Sequence, residues 1–269
     1  MIQLSDLPLP SATQNQLDKW QEAVDGISVY ADRVDKGKKL FSLFNRAHDP
    51  TFKQVRQVLT EMCSGARRCA YCEDSLADEV EHIKPKDLYP ESVFVWENYL
   101  YACGPCNGPK NNQFAVFSSM TGQFTDVTRG RKALVVPPES GHPVLINPRI
   151  ENPLDFLNLD LIDTFYFLPR FGLDAKKQER AKYTIKILRL NDKDSLVEAR
   201  AEAFDSYRAR LSEYISDKAS GVKGTHLDTR VKALQRMQHP TVWREMQRQQ
   251  KLIPELKGLF KLAPEASSW

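Results

Sequence analysis

Four of the five cysteines fall into two pairs, Cys69-x-x-Cys72 and Cys103-x-x-Cys106, separated by 30 residues rich in titratable side chains. A Cys-x-x-Cys turn aims two thiolates at one point. Two such turns saturate a tetrahedral zinc ion and leave no open position, so the expected site is structural. Two unrelated thiol pairs, or a redox Cys-x-x-Cys, are the competing readings. Between the pairs stand Glu81-His82-Ile83-Lys84-Pro85-Lys86 and Trp96-Glu97-Asn98, and Asn107-Gly108-Pro109-Lys110 follows the last cysteine directly. An unperturbed imidazole titrates near pH 6.5, so His82 can take a proton from water at neutral pH. Glu81 and Asn107 offer the hard oxygens that suit Mg²⁺, and Lys84, Lys86 and Lys110 offer positive charge for backbone phosphates. Hydrolysis of a phosphodiester asks for this set of groups. Taken singly they read more blandly, His82 as a satisfied structural histidine and Glu81 as a solvent-facing strand carboxylate.

The elements that must hold these residues are legible in outline. Residues 69–117 alternate short polar and aromatic stretches, the composition of a compact hairpin-and-helix module. Residues 11–63 read as helices: Ser11 with Gln14 forms a capping-box signature, and Asp49-Pro50 places an N-cap before a proline at the first helical position. Phe52, Val55, Val58, Leu59 and Met62 then share one apolar face, with Cys63 as a buried helix residue. Prolines and glycines cluster over 121–153, which predicts an irregular connection with a short strand at Leu134–Val136. A strand is expected over Leu159–Leu168, then helices over 176–190 and about 195–216, with Leu196, Ala199, Phe204, Tyr207, Leu211 and Ile215 on one face of the second. After a break at 219–225, a last helical region spans His239–Lys251. The reading is thus an α+β, mostly α-helical chain: an N-terminal helical region (1–64), a central module (65–120), and a connecting segment with a C-terminal helical region (121–269).

Length and charge set the outer limits. The 269 residues are 41% hydrophobic, enough for one large domain or two ordinary ones. No run is long and apolar enough for a membrane span, and MIQLSDLPLP lacks the basic and apolar regions of a signal peptide, so a cytoplasmic protein is expected. The formal net charge of +3 conceals a partition. Residues 67–112 carry 5 basic against 8 acidic groups, whereas residues 170–261 carry 21 against 12. If a polyanion is bound, the C-terminal half is the expected platform; ordinary solvated helix faces are the alternative.

Residues 69–112, CAYCEDSLADEVEHIKPKDLYPESVFVWENYLYACGPCNGPKNN, resemble the HNH nucleases, whose ββα-metal motif joins a histidine-bearing strand, an asparagine-bearing loop and a ligand-bearing helix. Cys-x-Tyr-Cys-Glu, Glu-His-x-x-Pro-Lys, Tyr-Pro, Trp-x-Asn and Cys-x-x-Cys-Asn-x-x-Lys look like the PtuB-type branch found in Septu and retron-associated phage defence. Asn147-Pro148 with Asn152-Pro153, and Leu188-Arg189-Leu190-Asn191, add to that likeness. The resemblance implies that His82 is the general base, that Glu81 and Asn107 hold catalytic Mg²⁺ or Mn²⁺, and that Asn98 fixes the loop and the histidine. It makes Cys69, Cys72, Cys103 and Cys106 the structural Zn²⁺ ligands, Lys110 a phosphate contact, and Trp96 a core aromatic. It also implies nucleic acid as substrate, DNA first, and an ATPase partner subunit of PtuA type. Two departures stand out: glutamate replaces the usual aspartate at 81, and an amide at Asn107 replaces the final histidine. These keep a non-catalytic zinc-stabilised nucleic-acid-binding module in view, and because phosphate contacts carry little sequence information, a nuclease acting on RNA such as tRNA fits the same residues.

Overall fold

The computed structural model describes residues 1–63 and 66–269. Three helices open the chain: α1 (Ser11–Asp25), α2 (Tyr30–Phe44) and α3 (Pro50–Met62). Helix α3 starts as its sequence predicts, with the Asp49 carboxylate accepting from Phe52 N at 2.9 Å and Pro50 in the first turn. Helix α1 does not. Ser11 is already helical, Pro10 occupies the cap position, and no side chain caps the helix. Cys63 closes α3 half-buried, its thiol donating to Leu59 O at 3.2 Å. The sequence-based boundary at 64/65 lies outside the described residues.

The centre is a two-stranded antiparallel sheet followed by a short helix: β1 (Glu79–His82), β2 (Tyr99–Ala102) and α4 (Gly104–Lys110). Register pairs His82 with Tyr99 and Glu79 with Ala102. One face of this hairpin, through Val80, Tyr99 and Tyr101, joins Leu17, Phe41, Phe52 and Val55 in a core shared with the three helices. The other face, through Leu100 and Ala102, enters a second core with the four paired cysteines and the C-terminal region. The hairpin is thus buried on both sides, which explains its nearly continuous apolar β2 sequence.

Beyond α4, β3 (Ala115–Ser118) is flanked by β4 (Phe124–Asp126) and β5 (Gly141–Pro143). Gly141 is obligatory here, because a Cβ would come within 2.2 Å of Phe117 O. The strand expected at Leu134–Val136 is absent. Those residues form an exposed loop, with Leu134 82% exposed, since no neighbouring strand covers their apolar side chains. The single strand expected over 159–168 is instead a hairpin, β6 (Leu157–Leu159) and β7 (Phe167–Pro169). Asp160 turns the chain by accepting from Ile162 N and Thr164 N, both at 2.9 Å.

The remainder is helical: α5 (Ala175–Ile187), α6 (Asp194–Ala219), α7 (Thr225–Gln235), α8 (Pro240–Gln249) and α9 (Pro254–Leu262). About half of the chain is helical, and the class is α+β. Leu196, Phe204, Tyr207 and Leu211 of α6 are buried as their spacing predicts, but Arg200 sits among them, donating to Leu190 O (2.7 Å) and Phe165 O (3.1 Å). No helix among the described residues is long and apolar enough to cross a membrane.

Candidate functional site

The zinc geometry is the firmest part of the site. The four sulfurs of Cys69, Cys72, Cys103 and Cys106 lie within 4.8 Å of one another, all buried, with Cys72 and Cys103 Sγ 3.7 Å apart. A tetrahedral ion with Zn–S bonds of about 2.3 Å requires sulfurs about 3.8 Å apart. The cage therefore fits zinc. Tyr71 N donates to Cys69 Sγ at 3.4 Å, and Lys193 Nζ sits 3.8 Å from Cys106 Sγ while donating to Pro105 O at 2.7 Å. Such outer donors offset the charge that four thiolates concentrate. Burial pushes the Cys69 thiol well up, with the neighbouring Cys103 and Cys72 adding to the rise, so a cation is what lets the set ionise together.

The first cysteine turn also anchors the C-terminal helices. The Glu73 carboxylate accepts from Thr241 Oγ1 (2.8 Å) and Thr241 N (3.1 Å) at the start of α8, and pairs with the buried Met1 ammonium at 2.9 Å. Asp74 faces His239 Nε2 at 3.3 Å. None of these partners was recognisable from sequence, because they lie about 70 to 170 residues apart.

Strand β1 and helix α4 hold the remaining candidates around a cleft of about 220 Å³, lined by Glu79, Glu81, His82, Lys86 and Asn107 among others. His82 ends β1 with its ring packed against Phe41 and Tyr99, at centroid distances of 4.4 and 5.2 Å. Its Nε2 lies 2.9 Å from Val93 O. A carbonyl oxygen only accepts, so Nε2 carries the proton, and in the neutral ring the lone pair is on Nδ1. Burial pushes the His82 pKa well below its ordinary value, with Lys86 and Lys110 adding to the effect and Val93 O opposing it. The imidazole is therefore a neutral base at physiological pH.

Asn98, in the turn before β2, binds the loop that follows His82. Its Oδ1 accepts from Lys84 N at 2.7 Å, and its Nδ2 donates to Lys84 O (3.0 Å) and Ser92 O (2.9 Å). Trp96 beside it is buried, donating Nε1–H to Leu7 O at 2.9 Å. Arg149, which sequence reading passed over, lies with its guanidinium 4.5 Å from the Trp96 ring and donates to the carbonyls of Trp96 and Tyr99.

The carboxylates and lysines depart from the sequence-based assignment. Lys110 is completely buried, ion-paired with Glu81 and donating to His82 O at 2.8 Å. Its ammonium is spent inside the protein and is not a free phosphate contact. Burial pushes the Glu81 carboxyl up, and Lys110 pulls against that rise. Lys84 lies over Tyr89 and lines a different cavity, beside Asn98 and His142, whereas Lys86 lines the cleft itself. Glu79, not singled out from sequence, faces the cleft two residues before Glu81 and accepts from Asn107 Nδ2 at 2.6 Å. Strand alternation is the signal for it, since residues two apart share a face. With its amide nitrogen engaged, Asn107 keeps Oδ1 as a hard donor. Among the described residues, the four cysteines are the one tight cluster of three or more His, Cys, Asp or Glu donors.

No protein-family model matches the chain, and no solved structure matches it. A 148-residue stretch, 53% of the chain, is 29% identical to the Septu protein PtuB of Bacillus thuringiensis. The alignment covers 43% of that protein, so the chain matches less than half of its relative's length. Over that half, the chain is similar to a Septu protein.

Proposed function

We propose that the chain is a metal-dependent HNH endonuclease, the cutting component of a Septu-type anti-phage defence system. The observation that carries the reading is His82: a buried neutral imidazole whose Nε2 is fixed on Val93 O, leaving the lone pair on Nδ1, in a cleft that also holds hard oxygen donors. In this scheme Nδ1 takes a proton from a water that attacks phosphorus in line with the leaving 3′ oxygen. Asn98 keeps the loop of residues 84–92 folded, so that Val93 O stays opposite the ring. Asn107, Glu79 and Glu81 are the residues that would hold a divalent cation. Bound Mg²⁺ or Mn²⁺ supplies positive charge against that developing on the phosphate and leaving oxygen. A sparse protein ligand set suits Mg²⁺, which usually binds through one or two carboxylates together with substrate phosphate.

DNA is the first substrate to test, and a structured RNA such as tRNA the second, because contacts to phosphates carry little sequence information. The test is a cleavage panel of plasmid, single-stranded DNA and total tRNA with and without Mg²⁺ or Mn²⁺. Metal-dependent cleavage of any of them supports the reading, and none, with or without the partner, contradicts it. The similarity to PtuB also motivates a partner ATPase of PtuA type; co-purification from the native host should recover one, and its absence would remove that part of the proposal.

One observation favours a second reading. Lys110 already neutralises Glu81. In a zinc-stabilised nucleic-acid-binding module that pairing is permanent, and salt-sensitive binding occurs without cleavage.

A further inference from the structure

Beside the His82 cleft lies a larger cavity of about 500 Å³, and the two share Gly108, Asn111 and Asn112 along their common edge. One wall is α2, with Val34 and Lys38; the other is the segment after β4, with Arg129 and Arg131. Arg129 donates to Asp87 O (2.6 Å), Val136 O (2.9 Å) and Tyr30 Oη (3.1 Å) and lies over the Tyr30 ring. Its charge is used to lash the segment to the groove. Arg131, next but one, is exposed and without a carboxylate partner among the described residues. Lys38 pairs with Asp87 at 2.9 Å but keeps about half of its side chain in solvent. Three cations thus face one carboxylate in the lining.

In the C-terminal helices, richer in basic residues, most cations have no carboxylate partner among the described residues, whereas Arg208 pairs with Asp205 and Glu255, Lys218 with Glu265, and Arg230 with Glu213 and Asp217. A cation held in such a pair has less to gain from a phosphate. What sets the groove apart from the C-terminal half is its place, sharing Gly108, Asn111 and Asn112 with the His82 cleft, although the count of charges favours the latter. No aromatic side chain among the described residues lines the groove, so it offers no platform for base stacking.

We infer that this groove carries the sugar–phosphate backbone of a nucleic acid strand leading from the His82 cleft, with Arg131 as its phosphate contact. The inference rests on the nuclease reading for its class of ligand. Binding is then electrostatic and indifferent to sequence.

The test uses the full chain without added Mg²⁺ and three labelled probes: single-stranded DNA, duplex DNA and single-stranded RNA. Arg131→Glu should weaken the tightest of these by about tenfold or more, and Arg131→Gln should lower the slope of log K against log salt by about 0.7 to 0.9. Arg210→Glu, an exposed site on α6, should stay within about twofold of the parent. The inference is overturned if Arg131→Glu binds as the parent does, if Arg210→Glu weakens binding at least as much, or if the parent binds no probe at low salt. Cleavage is scored separately. A chain that binds through Arg131 and never cuts refutes the nuclease and keeps the groove; one that cuts while its binding ignores Arg131 does the reverse. Which probe binds tightest separates DNA from RNA.

Discussion

Asn98 donates and accepts three hydrogen bonds into the loop of residues 84–92 from a nearly buried position. Replacing it with alanine strands at least two loop groups, so Asn98→Ala should cost about 2–4 kcal/mol in urea unfolding. A loss below about 0.5 kcal/mol would show that the loop is held by other means. His82 gives a pH signature. Its pKa is depressed in the fold, so below about pH 6.5 the unfolded chain binds a proton that the native chain refuses. Stability should fall as pH drops from 7.5 to 5.5, at a limiting slope of about 1.4 kcal/mol per pH unit from this group. In His82→Phe that component of the slope should vanish; an unchanged pH dependence would contradict it. At this scale the sequence was readable wherever partners are near in the chain: the cysteine turns, Glu81-His82 and Asn98. It was silent on Lys110 burial, Glu79 and Arg149, because those depend on which side chains meet across the hairpin.

At the scale of elements, the four cysteines join pieces that have little else in common. Cys69 and Cys72 lie before β1, and Cys103 and Cys106 lie at the junction of β2 with α4. Purified chain should carry one zinc ion, and Cys106→Ser should lose it together with at least about 10 °C of thermal midpoint, the equivalent of about 3–5 kcal/mol. Full retention of stability without zinc would mean that packing alone holds the hairpin. On α6, Leu211 is fully buried, so Leu211→Ala should cost about 2–5 kcal/mol by the cavity it leaves. The periodicity of α6 made it visible in sequence. Helices α7 and α9 escaped notice, the first lying directly after the 219–225 break and the second opening at Pro254 beyond the last helical run. Leu134–Val136 misled for the opposite reason, being β-prone residues with no strand beside them.

For the whole molecule, two apolar cores meet on opposite faces of one hairpin. That arrangement places a buried base at the hairpin's end and leaves Glu79, Lys86 and Asn107 at the cleft. The charge partition seen in sequence acquires a different meaning here, since the exposed Arg131 lies in the groove that adjoins the cleft, outside the charge-rich C-terminal half. In the proposed reading, His82 activates water for phosphodiester cleavage. The decisive comparison sets the parent against His82→Ala, each with its zinc content and folding verified, on plasmid, single-stranded DNA and tRNA in Mg²⁺ or Mn²⁺. Metal-dependent cleavage by the parent is expected, with a loss of at least about a hundredfold in the variant. Equal cleavage by both proteins, or none by the parent in the presence of its partner, would contradict it.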